Sequence, residues 1–299
     1  MKKFYKYGVF ACAVLLVACQ PKSEPKDAQD KPQDPPEVQQ PAAPTLVGEM
    51  IKVPVKLPAC DGSSCPDFRV EHLQSNFPFI DQRMDREILQ QLEQMLDAVD
   101  VEHAASTVQK TGNDDLTAQV QAYADAFIKI DQELKALSSG HQISLMVQPK
   151  ILQAQGALAT VVLNSNSYLG GAHGSTSQRY YNFDLKNQKQ IQLQDLLLPK
   201  QKAALDKLVY EAFKAWVIDS KLANNADEYE QAWPFSVTDN FLLGEQGLIL
   251  QYGEYEIGPY VAGLPRLVIP FEQLQGILKP EYLPQVETAA TSTPASTQK

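Results

Sequence analysis

The chain has 299 residues, 44% hydrophobic and 21% charged, with 15 Gly, 20 Pro, 4 Cys and a formal net charge of −10. That composition excludes collagen-like, multi-span membrane and wholly disordered classes. Its acidic balance argues against a nucleic-acid partner, because phosphates need a Lys/Arg field that is missing here.

Lys2, Lys3 and Lys6 form a cationic start, followed by an apolar run from Val9 to Ala18. The run is too short to span a bilayer stably and fits the hydrophobic part of a secretory leader. It ends in Leu16-Val17-Ala18-Cys19, which looks like a bacterial lipobox. Residues 1–18 therefore read as a lipoprotein signal peptide, and the Cys19 thiol as the lipid attachment point and the contact with the membrane. Gln20, where an Asp would signal retention, suggests export to the outer membrane of a Gram-negative cell, facing the periplasm. Cys12 lies in the discarded segment. Loss of three lysines moves the formal charge from −10 to −13. Such a surface steers cationic partners inward, or simply keeps the protein soluble. Residues 19–45 are rich in Pro, Gln, Lys, Asp and Glu and read as a disordered tether, having too little apolar surface to offset ordering entropy. Residues 285–299, rich in Thr, Ala, Ser and Pro, read as a frayed tail.

Cys60 and Cys65 lie in Cys60-Asp61-Gly62-Ser63-Ser64-Cys65. In an oxidising periplasm a local disulfide is the natural reading. The spacing also permits a metal pair, but zinc takes four ligands and no second pair exists. Closing so short a loop removes little chain entropy, so the bond shapes a turn more than it supports a fold. Three amphipathic helices follow from 3.6-residue periodicity. Ile88, Leu92, Met95, Leu96 and Val99 form the first stripe, behind a cap at Asp81 or Asp85. Val120, Tyr123, Phe127, Ile130 and Leu134 form the second, behind Asp114-Asp115, and Leu205, Leu208, Val209, Ala212 and Trp216 the third. Between helices two and three, Ile143, Leu145, Val147 and Ile151 alternate as a strand, and Leu158–Leu163 continues as another after a turn at Gly156. Tyr181, Phe183 and Leu185 are expected to pair with Ile191 and Leu193. Leu248–Tyr252 and Arg266–Ile269 read as a hairpin with a long, elaborated loop. Hairpins without regular βαβ alternation predict an α+β fold: an antiparallel or mixed sheet with amphipathic helices on one face, in two interlocked subdomains.

Catalytic signatures are missing. The four histidines are His72, His103, His141 and His173, and no zinc-protease, nucleophile-elbow, Cys-x-x-Cys or phosphate-loop motif occurs. No metal or cofactor is expected. His72 and His103 lie in acidic stretches and read as surface residues, and His141 sits at a turn into a strand. His173 stands apart, in Tyr168-Leu169-Gly170-Gly171-Ala172-His173-Gly174. Three glycines around one imidazole imply a tightly bent loop that fixes the ring. Two readings are open: a contact for a ligand or partner, or a structural ring that ties the loop to a strand. Tyr252-Gly253-Glu254-Tyr255-Glu256-Ile257-Gly258-Pro259-Tyr260 is the second unusual segment. Tyrosines give contact area at low entropic cost and glutamates meet cationic surfaces, so the segment suits recognition. It also suits a Tyr-lined core corner with glycine turns.

Tyr168–His173, Tyr181-Asn182-Phe183-Asp184-Leu185, Leu193-Gln194-Asp195-Leu196, Tyr255–Gly263 and Val268-Ile269-Pro270-Phe271 together resemble the RsiV/PdaC-type extracellular domain family. Cys65-Pro66-Asp67 through Phe77-Pro78-Phe79-Ile80-Asp81 resembles the small domain that usually precedes it. The resemblance spans roughly Val53 to Leu278 and implies a small α/β subdomain over residues 46–140 and an RsiV-like C-terminal domain over 141–284. RsiV-like members bind lysozyme and signal through a spanning helix, whereas PdaC-like members carry a separate hydrolase domain. This sequence shows neither addition, so the resemblance implies a non-enzymatic binding module. The expected partners are lysozyme-like cationic proteins or peptidoglycan, and the candidate binding residues are Tyr168, Gly171, His173, Tyr252, Glu254, Tyr255, Glu256 and Tyr260. The competing expectation is a peptidoglycan hydrolase or deacetylase using His173 with Asp184 or Asp195.

Overall fold

The computed structural model describes residues 43–62, 64–97, 115–137, 140 and 142–284. The expected leader, Cys19, the tail and all but residues 43–45 of the expected tether lie outside the described residues, as do Val99, His103, His141 and Asp114. Among the described residues, no helix is long and apolar enough to cross a membrane.

The fold is α+β, with a mixed sheet of six strands and an antiparallel sheet of three. In the first sheet the strands stand in chain order: β1 (Gly48–Lys52), β2 (Asp67–Ser75), β3 (Ser144–Gln153), β4 (Ala159–Tyr168), β5 (Ser175–Asp184) and β6 (Lys189–Ile191). Only β2 and β3 run parallel, with Phe68 opposite Leu145 and Val70 opposite Val147. A parallel pair needs a crossover, which α1 (Pro78–Asp97) and α2 (Leu116–Ala136) supply. Ser144 to Tyr168 and Ser167 to Ser175 are antiparallel partners, so β3–β4–β5 is a meander.

Helix α1 starts a turn earlier than its stripe suggested, with Pro78 in the first turn, where a missing N–H costs nothing. Asp81 does not cap it: its carboxylate accepts from the Ser75 N–H and hydroxyl and ties the helix to the end of β2. Ile80, Met84, Ile88, Leu92 and Leu96 are fully buried against the sheet. Each such side chain contributes about 1.5–3 kcal/mol relative to exposure. Helix α2 begins as expected at Asp115, whose carboxylate accepts from the Thr117 N–H at 3.1 Å. The Cys60 and Cys65 sulfurs are bonded to each other in the loop between β1 and β2.

The second sheet, β7 (Phe241–Leu243), β8 (Gly247–Gln251) and β9 (Arg266–Pro270), packs with α3 (Lys202–Asp219) and the short α4 (Ala226–Ala232). The hairpin expected from Leu248–Tyr252 and Arg266–Ile269 is β8–β9, with Leu248 opposite Ile269. The expected pairing of Leu193 does not form: β6 ends at Ile191, and Leu193 begins a 3-10 turn.

The division expected at residue 140 falls inside one sheet, because β2 hydrogen-bonds β3. The two side-chain cores separate later: the first ends at Leu185, and the second, apart from Leu158, is drawn from Ile191 onward. They interlock along β5. Beyond β6 its outer edge has no strand among the described residues, and side chains from the second half take that place. Asn240 accepts from the Tyr180 N–H and donates to the Gln178 carbonyl, both at 2.8 Å. Asn182 donates in turn to the Phe241 carbonyl and accepts from the Thr160 hydroxyl. Unpaired strand edges otherwise carry unsatisfied backbone groups.

Candidate functional site

Two loops that lie far apart in the sequence meet at one end of this seam. The β4–β5 turn presents His173, and the β8–β9 loop presents Tyr255 and Tyr260. Gly170 and Gly171 adopt φ of 90° and 94°, which lets the turn fold back sharply where a side chain would be strained. The Tyr168 hydroxyl donates to the Gly171 carbonyl at 3.1 Å and clamps the bend.

On the other side, the aromatic interior of the second half holds the tyrosine loop. Tyr229 donates to the Ile257 carbonyl at 3.1 Å. A Cβ on Gly258 would come within 2.7 Å of that hydroxyl and 3.1 Å of the Trp216 ring, so only glycine fits there. Tyr252 is fully buried and donates to the Ser236 carbonyl at 3.0 Å. Burial pushes its phenol well above the usual range. Its expected place among the binding residues is therefore corrected: it continues β8 into the core and anchors the loop. Tyr255, by contrast, is half exposed, and its φ of 62° is left-handed. That conformation costs a residue with a Cβ about 1–2 kcal/mol. The strain is located where the ring is held out over the His173 turn.

The His173 ring stacks on Tyr260, with centroids 3.9 Å apart and planes 19° from parallel. Nδ1 lies 3.0 Å from the Gly174 carbonyl, which only accepts, so Nδ1 carries the proton of that bond. Nε2 then accepts from the Tyr255 hydroxyl at 3.1 Å. Both nitrogens are thus engaged by the two loops. The carboxylates of the hydrolase expectation are also elsewhere. Asp184 accepts from Asn187, at the far end of β5 and about 30 Å of strand from Ser175. Asp195 accepts from the Gln192 N–H.

The two glutamates of the loop have different roles. Glu256 turns back to accept from the Gly253 N–H at 2.7 Å and stabilises its own turn. Glu254 crosses the seam: it accepts from the Ser175 hydroxyl at 3.1 Å and the Thr176 N–H at 3.0 Å, closing the last stretch of the β5 edge. Glu254 also lines a cleft of about 390 Å³ with Tyr255, His173, Ser167 and Met95. Of the residues expected to bind, the structure brings His173, Glu254, Tyr255 and Tyr260 together, while Tyr168, Gly171 and Glu256 shape the loops. Ser175, Thr176 and Met95 were missed. Ser175 and Thr176 directly follow the glycine turn, whereas nothing local marks Met95, which reaches the cleft from the end of α1.

A larger groove of about 550 Å³ opens between Leu152, Leu243, Phe271 and Tyr282. It is mostly apolar, its two carboxylates, Glu245 and Glu281, are exposed, and it contains no histidine. Among the described residues, no three His, Cys, Asp or Glu side chains cluster to hold a metal ion.

Residues 194–272, from the turn before α3 through β9, match a family described as a protein of unknown function, DUF3298. The match contains the tyrosine loop and stops short of the His173 turn. A crystal structure of a DUF3298 family protein from Pseudomonas aeruginosa PAO1 is similar at 27% identity and a TM-score of 0.57, covering 82% of this chain and 98% of that one. A DUF3298 family member from Bacteroides fragilis NCTC 9343 is similar at 18% identity and a TM-score of 0.50, covering 79% and 94%. No curated protein matches the chain. The architecture and the tyrosine-loop segment are thus similar to those of DUF3298 proteins, a family whose description assigns no function.

Proposed function

We propose that this chain is a non-catalytic binding module of the RsiV/PdaC type, anchored to the outer membrane through Cys19 and facing the periplasm. Its partner is a lysozyme-like cationic protein, and cell-wall peptidoglycan is the second candidate. The observation that carries the reading is the convergence of the His173 turn and the tyrosine loop on one exposed aromatic patch. Tyr260 and Val261 project from it, Val261 being 84% exposed. Rigid aromatics at a loop tip supply contact area with little entropy left to lose on binding. Asp184 and Asp195, which bond elsewhere and leave His173 without an orienting carboxylate from either, support binding over hydrolysis. An acidic chain favours encounter with a basic partner.

Titration calorimetry with a lysozyme at low and moderate salt tests this. The wild type is expected to bind at both, and Tyr260→Ala to weaken binding by roughly tenfold or more while leaving the melting temperature nearly unchanged. Folded protein that binds at neither salt removes the lysozyme reading, and pull-down on purified peptidoglycan then decides the second. Binding that vanishes at moderate salt and ignores Tyr260→Ala is unspecific charge attraction.

A further inference from the structure

The aromatic patch accounts for contact area but leaves the cleft beside it unassigned. We propose that this cleft is a subsite for one basic side chain of the partner, arginine foremost, with Glu254 as the counter-charge and the Tyr255 ring as a wall. The inference rests on the binding reading above and names the chemistry one part of the partner must bring.

Three observations lead there. The Glu254 carboxylate has about four acceptor positions, of which Ser175 and Thr176 fill two, so the group is fixed in place with acceptor capacity left, and Glu254 lines the cleft. Next, among the described residues, the side chains bordering the cleft include no Lys or Arg that would compete for it. The two ring nitrogens of His173 are engaged by Gly174 and Tyr255. Finally, the left-handed backbone at Tyr255 sets its ring on the cleft border, and Met95 lines the cleft with a polarizable thioether. A planar guanidinium meets that surroundings well: its N–H fork reaches the carboxylate, its face lies against the phenol ring, and its methylenes cover Met95. A glycan would use the ring face as well but would leave the carboxylate without its counter-charge.

Amide NMR on the purified chain, titrated with N-acetyl-arginine amide and with its neutral isostere N-acetyl-citrulline amide, tests the subsite. Saturable shifts are expected at Gly170, Gly174, Ser175 and Tyr255 with arginine, on the order of millimolar in affinity for so small a probe. Citrulline should bind roughly tenfold more weakly, and Glu254→Gln should erase the difference. Gln keeps the acceptor for Thr176, and an intact His173–Tyr255 proximity shows that the loops stay joined in that variant. Should they separate, Tyr255→Leu serves instead, with arginine affinity expected to fall several-fold. Equal shifts from arginine and citrulline overturn the proposal, as do arginine shifts that survive Glu254→Gln. Shifts from chitotriose at the same amides, with none from arginine, overturn it in favour of a glycan. Lysozyme titrated into the same sample separates the two claims. Its binding without arginine preference removes only the subsite, and arginine preference without lysozyme binding removes only that partner.

Discussion

The two halves of the molecule solve packing with different side chains. The first core is chiefly aliphatic, built on the Ile80-Met84-Ile88-Leu92-Leu96 stripe of α1. The second is threaded by rings: Phe213 stacks on Phe235 at 4.5 Å between centroids and lies near Tyr210, Trp216 and Tyr229. The aliphatic stripe fixes a helix on a regular sheet. Rings with hydroxyls also reach outward and pin irregular backbone, as Tyr229 does at Ile257 and Tyr252 at Ser236. The long tyrosine loop is therefore held by the half able to hold it, while the short His173 turn is bent by its glycines and one tyrosine clamp.

The most severe way to break the comparison is to hollow each core in turn. Phe127→Ala and Phe213→Ala are each expected to cost about 3–5 kcal/mol in denaturant unfolding. Only Phe213→Ala should also disturb the amide signals of Tyr255 and Tyr260; equal disturbance by both would show that the loop is not specifically the second core's charge. A milder change separates the halves at their seam. Asn240→Ala leaves the Tyr180 N–H and Gln178 carbonyl without their partner and should cost about 1–3 kcal/mol. Faster hydrogen exchange at Tyr180 is its specific signature.

The smallest effect concerns acid. The Gln192 N–H holds the Asp195 carboxyl below its usual value, aided by Lys189 against some desolvation. A depressed folded-state pKa contributes stability that is complete above the unfolded value of 3.8 and is lost as pH falls through the lower folded value. Asp195→Ala should thus cost about 1 kcal/mol at pH 7, and progressively less as the pH falls below 3.8. A penalty unchanged by acid would mean the side chain acts by shape alone.

Much of this architecture is legible in the sequence, because helical stripes and strand alternation are local. The stripe of α2, the β8–β9 hairpin and both glycine-bearing loops follow from spacing. β1 is too short to show a period, and in β2 His72 and Leu73 interrupt the alternation begun by Phe68 and Val70. The α3 stripe was read through Trp216 and missed Phe213, the ring at the centre of the second core. Tyr252 was misjudged because it adjoins exposed tyrosines, whereas its own position is the inward continuation of β8. The site itself was legible in its parts but not in its assembly. His173 and Tyr255 are 82 residues apart, and no local pattern encodes that they touch.

Along β5, amide and carboxylate groups stand where a tenth strand would otherwise lie. A side chain offers one or two bonds and then stops, so a stray segment from another molecule finds no continuous ladder to copy. The rim is sealed against fibril seeding without committing extra chain to a rigid ribbon. Loops behind Asn240 and Glu254 are consequently free to lengthen or shrink over evolutionary time, provided that those two tips still reach the rim.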